Sequence, residues 1–330
     1  MGKTSRPHRG STGILPRKRA KRQRPRIRSW ITESEVKPLG FSGYKAGMTH
    51  IIAVDETKNS PTSGMEVFLP VTIVETPPMT VVGVRVYSKG YEGLEAAQDI
   101  WMSEPAKQVQ KRAPIKGDKD GAKKVQDLKN NLDTIADIRL ILYTHPFETH
   151  TPQKKPDVME MALGGDINSK IEYAAQKIGT QMTVEEVFGQ NQYVDVKSVT
   201  KGKGFQGVIK RYGLRRQIRK SAKGRRHIGS GGSWVPARKL WTEPLPGQMG
   251  YHSRTEYNKL ILSIGKDGAE ITPKGGFLHY GPVKNNYVMI HGSIPGPAKR
   301  VVRLLPARRV QKEESYNILK INTESKQGNR

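Results

Sequence analysis

The chain has 330 residues, with 57 Lys and Arg against 30 Asp and Glu, a formal net charge of +27 and no cysteine. That length suffices for one large domain or two moderate ones with a real core. The lack of Cys excludes disulfides, thiolate zinc sites and thiol nucleophiles, and no apolar run approaches the roughly 18 residues that span a bilayer.

Residues 1–39 read as a basic extension. Pro7, Pro16 and Pro25 punctuate it, and before Trp30 only Ile14, Leu15 and Ile27 are large and apolar. Such a segment buries too little to offset its chain entropy, so from Met1 to Pro38 an extended arm, ordered on binding, is expected. Its positive start is not followed by the apolar segment of a signal peptide, and a cytoplasmic protein is the default. From Gly40 the texture changes: "GFSGYKAGMTHIIAVDE", "MEVFLPVTIVETPP" and "VVGVRVY" are short β-branched and aromatic runs bounded by Gly and Pro, the pattern of an antiparallel sheet or barrel. The near-uniform apolar character of Val71 to Val74 predicts a strand covered on both faces.

From Lys89 to about Leu132 the chain is charged and rich in Ala, Lys and Gln, which predicts a helical insertion with a polar outer face. "DIRLILY" and "DVMEMAL" then read as strands. "NSKIEYAAQKIG" reads as an amphipathic helix capped by Asn168 or Ser169, "TVEEVF" as a short helical turn, and "QYVDVKSVT" as a strand. A second basic segment follows, and "YNKLILSIG", "YVMIHGSI" and "KRVVRLL" close the body as strands. The fold class is α+β, mainly β. The predicted organisation is a basic extension (1–39), a sheet or barrel body in two parts (40–90 and 156–200), a mixed insertion (91–155), a central basic finger (201–247) and closing strands with a tail (248–330).

The charge excess is localised. Met1 to Thr32 carries eleven Lys or Arg and no acid, and Val196 to Thr242 carries fourteen and no acid, whereas the remaining 251 residues hold 32 bases and 30 acids. Ordinary surfaces mix the two signs. Two acid-free runs point to a polyanion, and because neither has an amphipathic apolar face, nucleic acid is favoured over a membrane. No Cys and His finger, heptad zipper or helix-turn-helix is visible, and Pro and Gly break both segments, so folded RNA fits better than the DNA major groove.

The candidate phosphate contacts of the first segment are Arg6, Arg9, Arg17, Lys18, Arg19, Lys21, Arg22, Arg24, Arg26 and Arg28. Those of the second are Lys201, Lys203, Lys210, Arg211, Arg215, Arg216, Arg219, Lys220, Lys223, Arg225, Arg226, Arg238 and Lys239, with His227, His252 and Arg254 beside them. Phe205, Tyr212, Trp234 and Trp241 are candidates for stacking on unpaired bases, with Trp241 equally suited to packing. "GRRHIGSGGSW" sets Trp234 at the end of a glycine and serine tether, which suits a ring presented to RNA better than one fixed in a core.

Three motifs invite other chemistry. "GKGFQG" matches a dinucleotide fingerprint, but no Asp or Glu follows before Glu243 to bind a ribose, and the companion motifs of a kinase are absent. "HPFETH" spaces its histidines five apart with a proline between, not the four that places two zinc ligands on one helix face, and reads as a surface loop. "DKDG" lacks the rest of a calcium loop. No catalytic, cofactor or metal site is therefore expected. A DNA-compacting protein and a nucleotide-dependent transferase built on "GKGFQG" are the rival readings.

"FSGYKAGMTH", "PVTIVETPPM", "TKGKGFQGVIKRYG", "GSWVPAR" and "GQMGYHSRTEYNKLI", in that order, resemble the ribosomal protein L-three family in its archaeal or eukaryotic-like form, from the first extension to about Arg309. The resemblance implies a six-stranded barrel like that of translation elongation factors, an inserted α/β part and two extensions threading into large-subunit rRNA. It also implies a role in early subunit assembly, contacts with neighbouring subunit proteins, and a finger whose tip, matched by Trp234, comes near the peptidyl transferase centre and influences aminoacyl-tRNA indirectly. His227 lies near a "HRG" segment of eukaryotic relatives, with the glycines shifted.

Overall fold

The structure is a computed structural model that describes residues 10–222, 224–229, 231, 235, 237–309 and 313–325. The chain divides into two compact units, one formed by residues 1–23 and 199–254, the other by 24–198 and 255–330. Arg6, Arg9, Lys223 and Trp234 lie outside the described residues.

The larger unit is built on two sheets. In chain order its elements begin with strands β1 (Phe41–Asp55), β2 (Glu66–Glu75), β3 (Met79–Gly90) and β4 (Gly93–Trp101), then helices α1 (Lys107–Gln110) and α2 (Gly121–Asp127). After a 3-10 segment at Leu128–Thr134 come β5 (Asp137–Tyr143), β6 (Val158–Ala162), helix α3 (Ile167–Lys177), β7 (Gln181–Met182) and β8 (Tyr193–Val199). The central basic segment holds β9 (Gly202–Gln206), α4 (Val208–Tyr212) and β10 (Gly247–Gly250). The chain closes with β11 (Ser253–Gly265), β12 (Tyr287–His291), β13 (Val301–Pro306) and β14 (Tyr316–Ile321).

One sheet runs β13-β8-β11-β12-β2-β1-β14, and β13 also pairs β1, so the pairings join six strands into a ring with β14 on its margin. The strands of the ring are not spaced evenly round an axis. The alternation of side chains in a strand sends neighbouring residues to different cores. In β12, Tyr287 and Met289 enter one apolar cluster with Tyr44, Ile51, Ile73 and Leu262, while Val288 and Ile290 enter another with Phe41, Val74, Ile261 and Leu304. Val71, Thr72, Ile73 and Val74 are all buried, as the near-uniform apolar run predicts for a strand covered on both sides.

The second sheet, β4-β3-β5-β6 with β7 beside β3, corrects the helical reading of the insertion at its start. Residues 93–101 are a strand paired with β3 along its length, and one of its two charges has a partner across the sheet. Asp99 stands opposite Arg85 and accepts two hydrogen bonds from its guanidinium at 2.6 Å each, and Arg85 also donates to Glu160. Composition suggested a helix, and pairing with β3, reinforced by the Arg85–Asp99 ion pair, decided for strand. Farther on, α1 and α2 supply the expected helical turns. Helix α3 buries Ile171, Ala174 and Ala175 on one stripe, and its N-cap is Asp166, not Asn168 or Ser169. The turn at Val184–Glu186 starts with a capping box between Thr183 and Glu186.

Two further expectations change. "HPFETH" is no simple surface loop: it holds a 3-10 turn, Pro146–Glu148, and His145 is buried with its Nε2 2.8 Å from the Thr80 hydroxyl, while His150 is exposed. Burial holds the His145 pKa below its ordinary value despite Glu148 beside it. The first extension is not one arm either. From Arg24 on it groups with the larger unit, where Pro25 and Ile27 are buried and Arg24 donates to the Val158 carbonyl.

Candidate nucleic-acid interface

In the smaller unit the central segment leaves and returns through a two-stranded antiparallel ribbon, β9 against β10, with Phe205 opposite Gln248 and Gly202 opposite Gly250. Gly250 has φ +70, and any Cβ there would meet the carbonyl of Lys201, so the return strand needs glycine at this crossing. "GKGFQG" is thus one edge of a small antiparallel ribbon followed by the five-residue α4. The parallel βαβ unit that would present a dinucleotide phosphate to a helix is not built here.

Helix α4 buries Val208 and Tyr212, four residues apart on one face, and ends at Gly213 in the left-handed region. The first segment packs on that face. Arg17 sits 4.6 Å from the centroid of the Tyr212 ring, and Gly10, at φ +82, lies so close to the ring that a Cβ would collide with it. Arg211 donates to three carbonyls, Leu245 at 2.7 Å, Gln248 at 3.1 Å and Arg17 at 3.4 Å. The planar guanidinium fork reaches all three, tying both sides of the ribbon and the first segment together.

His252 completes the clasp. The residue is 9% exposed; Nε2 accepts from the Gly250 N–H at 3.1 Å, which leaves the proton on Nδ1 to donate to the Lys18 carbonyl at 3.0 Å. Burial lowers its pKa from the ordinary 6.5, the bond to Lys18 opposes this, and Arg254, Arg211 and Arg17 lower it further. Arg254 donates to the Pro16 carbonyl at 3.0 Å, the Ala20 N–H donates to the Tyr251 carbonyl at 2.8 Å, and Arg19 lies 5.4 Å from the Tyr251 ring centroid.

The candidate residues therefore fall into two groups. Arg17, Arg211, Tyr212, His252 and Arg254 are engaged within the unit. Lys18, Arg19, Lys21, Arg22, Lys201, Lys203, Lys210, Arg215, Arg216, Arg219, Lys220, Arg225, Arg226, Arg238 and Lys239 are exposed, as is His227. Lys239 is drawn towards Glu243 at 3.6 Å, the first acid after the run. Of the candidate rings, Phe205 is 76% and Trp241 67% exposed, so neither is a core residue, whereas Tyr212 at 8% is buried. Arg24, Arg26 and Arg28 belong to the larger unit, with the latter two exposed.

The sequence reading missed this bracing. The spacing of Val208 and Tyr212 could have marked a buried face, but nothing local ties Arg17 to a ring 195 residues away. No helix among the described residues is long and apolar enough to cross a membrane, and no group of His, Asp or Glu among them could hold a metal ion.

The sequence model described as ribosomal protein L3 matches residues 1–328. Curated relatives bear the name large ribosomal subunit protein uL3. That of Methanothermobacter thermautotrophicus is 47% identical over 337 residues, covering 99% of this chain and 100% of the relative. Those of Archaeoglobus fulgidus and Methanocaldococcus jannaschii are 45% and 46% identical, covering 99% and 98% of both chains respectively. A match of this extent, from the first basic segment through both sheets, establishes the lineage: the chain belongs to the ribosomal protein L3 family.

Proposed function

We propose that the chain is a structural constituent of the large ribosomal subunit and holds rRNA chiefly through the unit formed by 1–23 and 199–254. The observation that carries this reading is the gathering of most of the two acid-free basic runs, residues 1–23 and 199–242, into one unit whose bridging residues are internally satisfied while most of its other cations are exposed. Such cations neutralise backbone phosphates and release counterions without reading base sequence; selectivity then comes from the fit to one RNA fold. Phe205 and Trp241 offer flat faces to unpaired bases. Arg17, Arg211, Tyr212, His252 and Arg254 act as braces.

The names of the relatives support the assignment to the large subunit. The finer parts of the reading follow the family resemblance: a finger over 201–247 tipped by Trp234 and directed to the peptidyl transferase centre, an indirect influence on aminoacyl-tRNA, early action in subunit assembly, neighbouring subunit proteins as partners, a cytoplasmic ribosome as location, and a ring of six strands that acts as an elongation-factor-like barrel. In this reading the protein contributes no catalytic group.

Co-sedimentation of the chain with large subunits from a lysate tests the assignment. Binding to large-subunit rRNA and to duplex DNA at matched salt tests the ligand: preference for the rRNA supports the reading, and equal affinity would favour a general nucleic-acid-compacting role.

A further inference from the structure

In the larger unit, β8 and β13 pair so that Lys197 stands directly opposite Arg303. Like charges in that position repel, and sheets ordinarily avoid them. Arg303 is satisfied in part: its two terminal nitrogens have partners, and its buried Nε has none among the described residues. Its side chain is buried, it donates to the carbonyls of Pro25 and Glu160, and its guanidinium lies 5.7 Å from the centroid of the Trp30 ring. Arg308 donates to the carbonyl and hydroxyl of Ser29. Residues 25 to 29 are thus pinned at both ends, which brings Arg28 into the same cluster.

Lys197 and Arg28 are not accounted for. Among the described residues neither has a hydrogen-bonding or ion-pairing partner. Lys197 is half-buried, and burial together with Arg303, Arg308 and Arg28 holds its pKa below the ordinary lysine value, with Asp195 pulling the other way. The nearby carboxylates are already engaged. Asp195 accepts the backbone N–H groups of Asn258 at 3.0 Å and Arg308 at 3.3 Å, and Glu160 accepts from Arg85 and from the Tyr87 hydroxyl at 2.8 Å. A half-buried ammonium among three guanidinium groups costs stability unless an anion joins it.

We infer that Lys197, Arg28 and Arg308 form an oxyanion site on the β8–β13 face and that its ligand is a phosphate of an RNA backbone. The lysine supplies a compact charge and the arginines supply planar donor forks, a combination suited to a tetrahedral oxyanion. The inference rests on the RNA-binding reading and adds Lys197 and Arg308 to it.

The test uses the full chain with Lys197→Met, which keeps the half-buried stem and removes the charge, and Arg28→Gln, which alters only an exposed side chain. In phosphate-free buffer Lys197→Met is expected to raise the melting temperature, because the repulsion is relieved. With large-subunit rRNA both variants should bind more weakly, with a slope of log K against log salt shallower by about 0.7 to 0.9 for the lost phosphate contact. Unchanged slopes in both, while Arg215→Gln combined with Arg216→Gln still weakens binding, would overturn the site and leave the RNA-binding reading standing. If none of these variants changes rRNA binding, both fall. Saturable stabilisation by inorganic phosphate that is lost in Lys197→Met, with the RNA slope unchanged, would assign the site to free phosphate and overturn the RNA ligand.

Discussion

The Arg17 guanidinium lies 4.6 Å from the centroid of the Tyr212 ring and donates to its hydroxyl at 3.4 Å, joining two basic segments 195 residues apart. An RNA-binding surface of flexible cations alone would lose much conformational entropy on docking. In the RNA-binding reading, bracing through Arg17, Arg211 and His252 meets part of that cost before RNA docks. Arg17 and Arg211 are cationic themselves, yet they spend donors on the Tyr212 hydroxyl and on backbone carbonyls and leave the neighbouring cations exposed.

Tyr212→Ala should therefore loosen the clasp. Removing a buried aromatic side chain costs about 3 kcal/mol or more, and the lost cation contact adds to it. Tyr212→Phe keeps the ring and gives up only a long hydrogen bond, so it should cost less than about 1 kcal/mol. Hydrogen exchange at the Ala20 amide, which donates to Tyr251, reports the difference: fast in the alanine variant and near wild type in the phenylalanine one.

Trp241 and Phe205 predict the opposite pattern. Both are exposed, so Trp241→Ala and Phe205→Ala should change stability by no more than about 0.5 kcal/mol. Each should weaken rRNA binding by roughly 1 to 3 kcal/mol if its ring stacks on a base. Thermal melts and binding titrations on the same samples separate the two effects, and a ring whose loss destabilises the protein without weakening RNA binding is a packing residue.

His252 makes the clasp sensitive to acid. Its folded pKa lies below the unfolded value of 6.5, so the unfolded form binds the proton more readily and stability is fully present above that value. As pH falls through 6.5 the contribution declines, until His252 protonates in the folded state as well and Nε2 can no longer accept from Gly250. The Gly250 and Ala20 amides should lose protection as pH falls below 6.5, after correction for intrinsic exchange. His252→Gln should flatten that local dependence. Global melts are a poorer readout, because His145 and His291 are shifted in the same direction.

Glu75 anchors a loop of the body in a comparable way. It is fully buried and accepts from the backbone N–H groups of Lys284 at 2.9 Å and Asn285 at 3.0 Å, from the Asn285 side chain at 2.8 Å, and from the Tyr280 hydroxyl. Glu75→Ala would strand several buried donors, at about 3 kcal/mol or more. Glu75→Gln retains an acceptor and should cost less. Urea denaturation of the two variants gives the comparison, and equal losses would show that the charge matters more than the acceptor.

Much of this protein was legible in its residues. The apolar runs at Val71 to Val74, "DIRLILY" and "YVMIH" are strands because strand pairing suits β-branched and other large apolar side chains packed into a core. The two acid-free runs and the five segments resembling the family were equally plain, since charge and motif are local properties of the chain. The strand at 93–101 was not legible, because its stability comes from Arg85 across the sheet and not from its own composition. Nor did the sequence separate bracing cations from exposed ones. Arg211 and Arg215 carry the same guanidinium, and only the carbonyls of Leu245, Gln248 and Arg17 set them apart. Composition and periodicity determined what the segments are made of and which apolar runs would be strands. Chain pairing across hundreds of residues decided which charges meet, because hydrogen-bond geometry and burial are properties of the partner as much as of the residue.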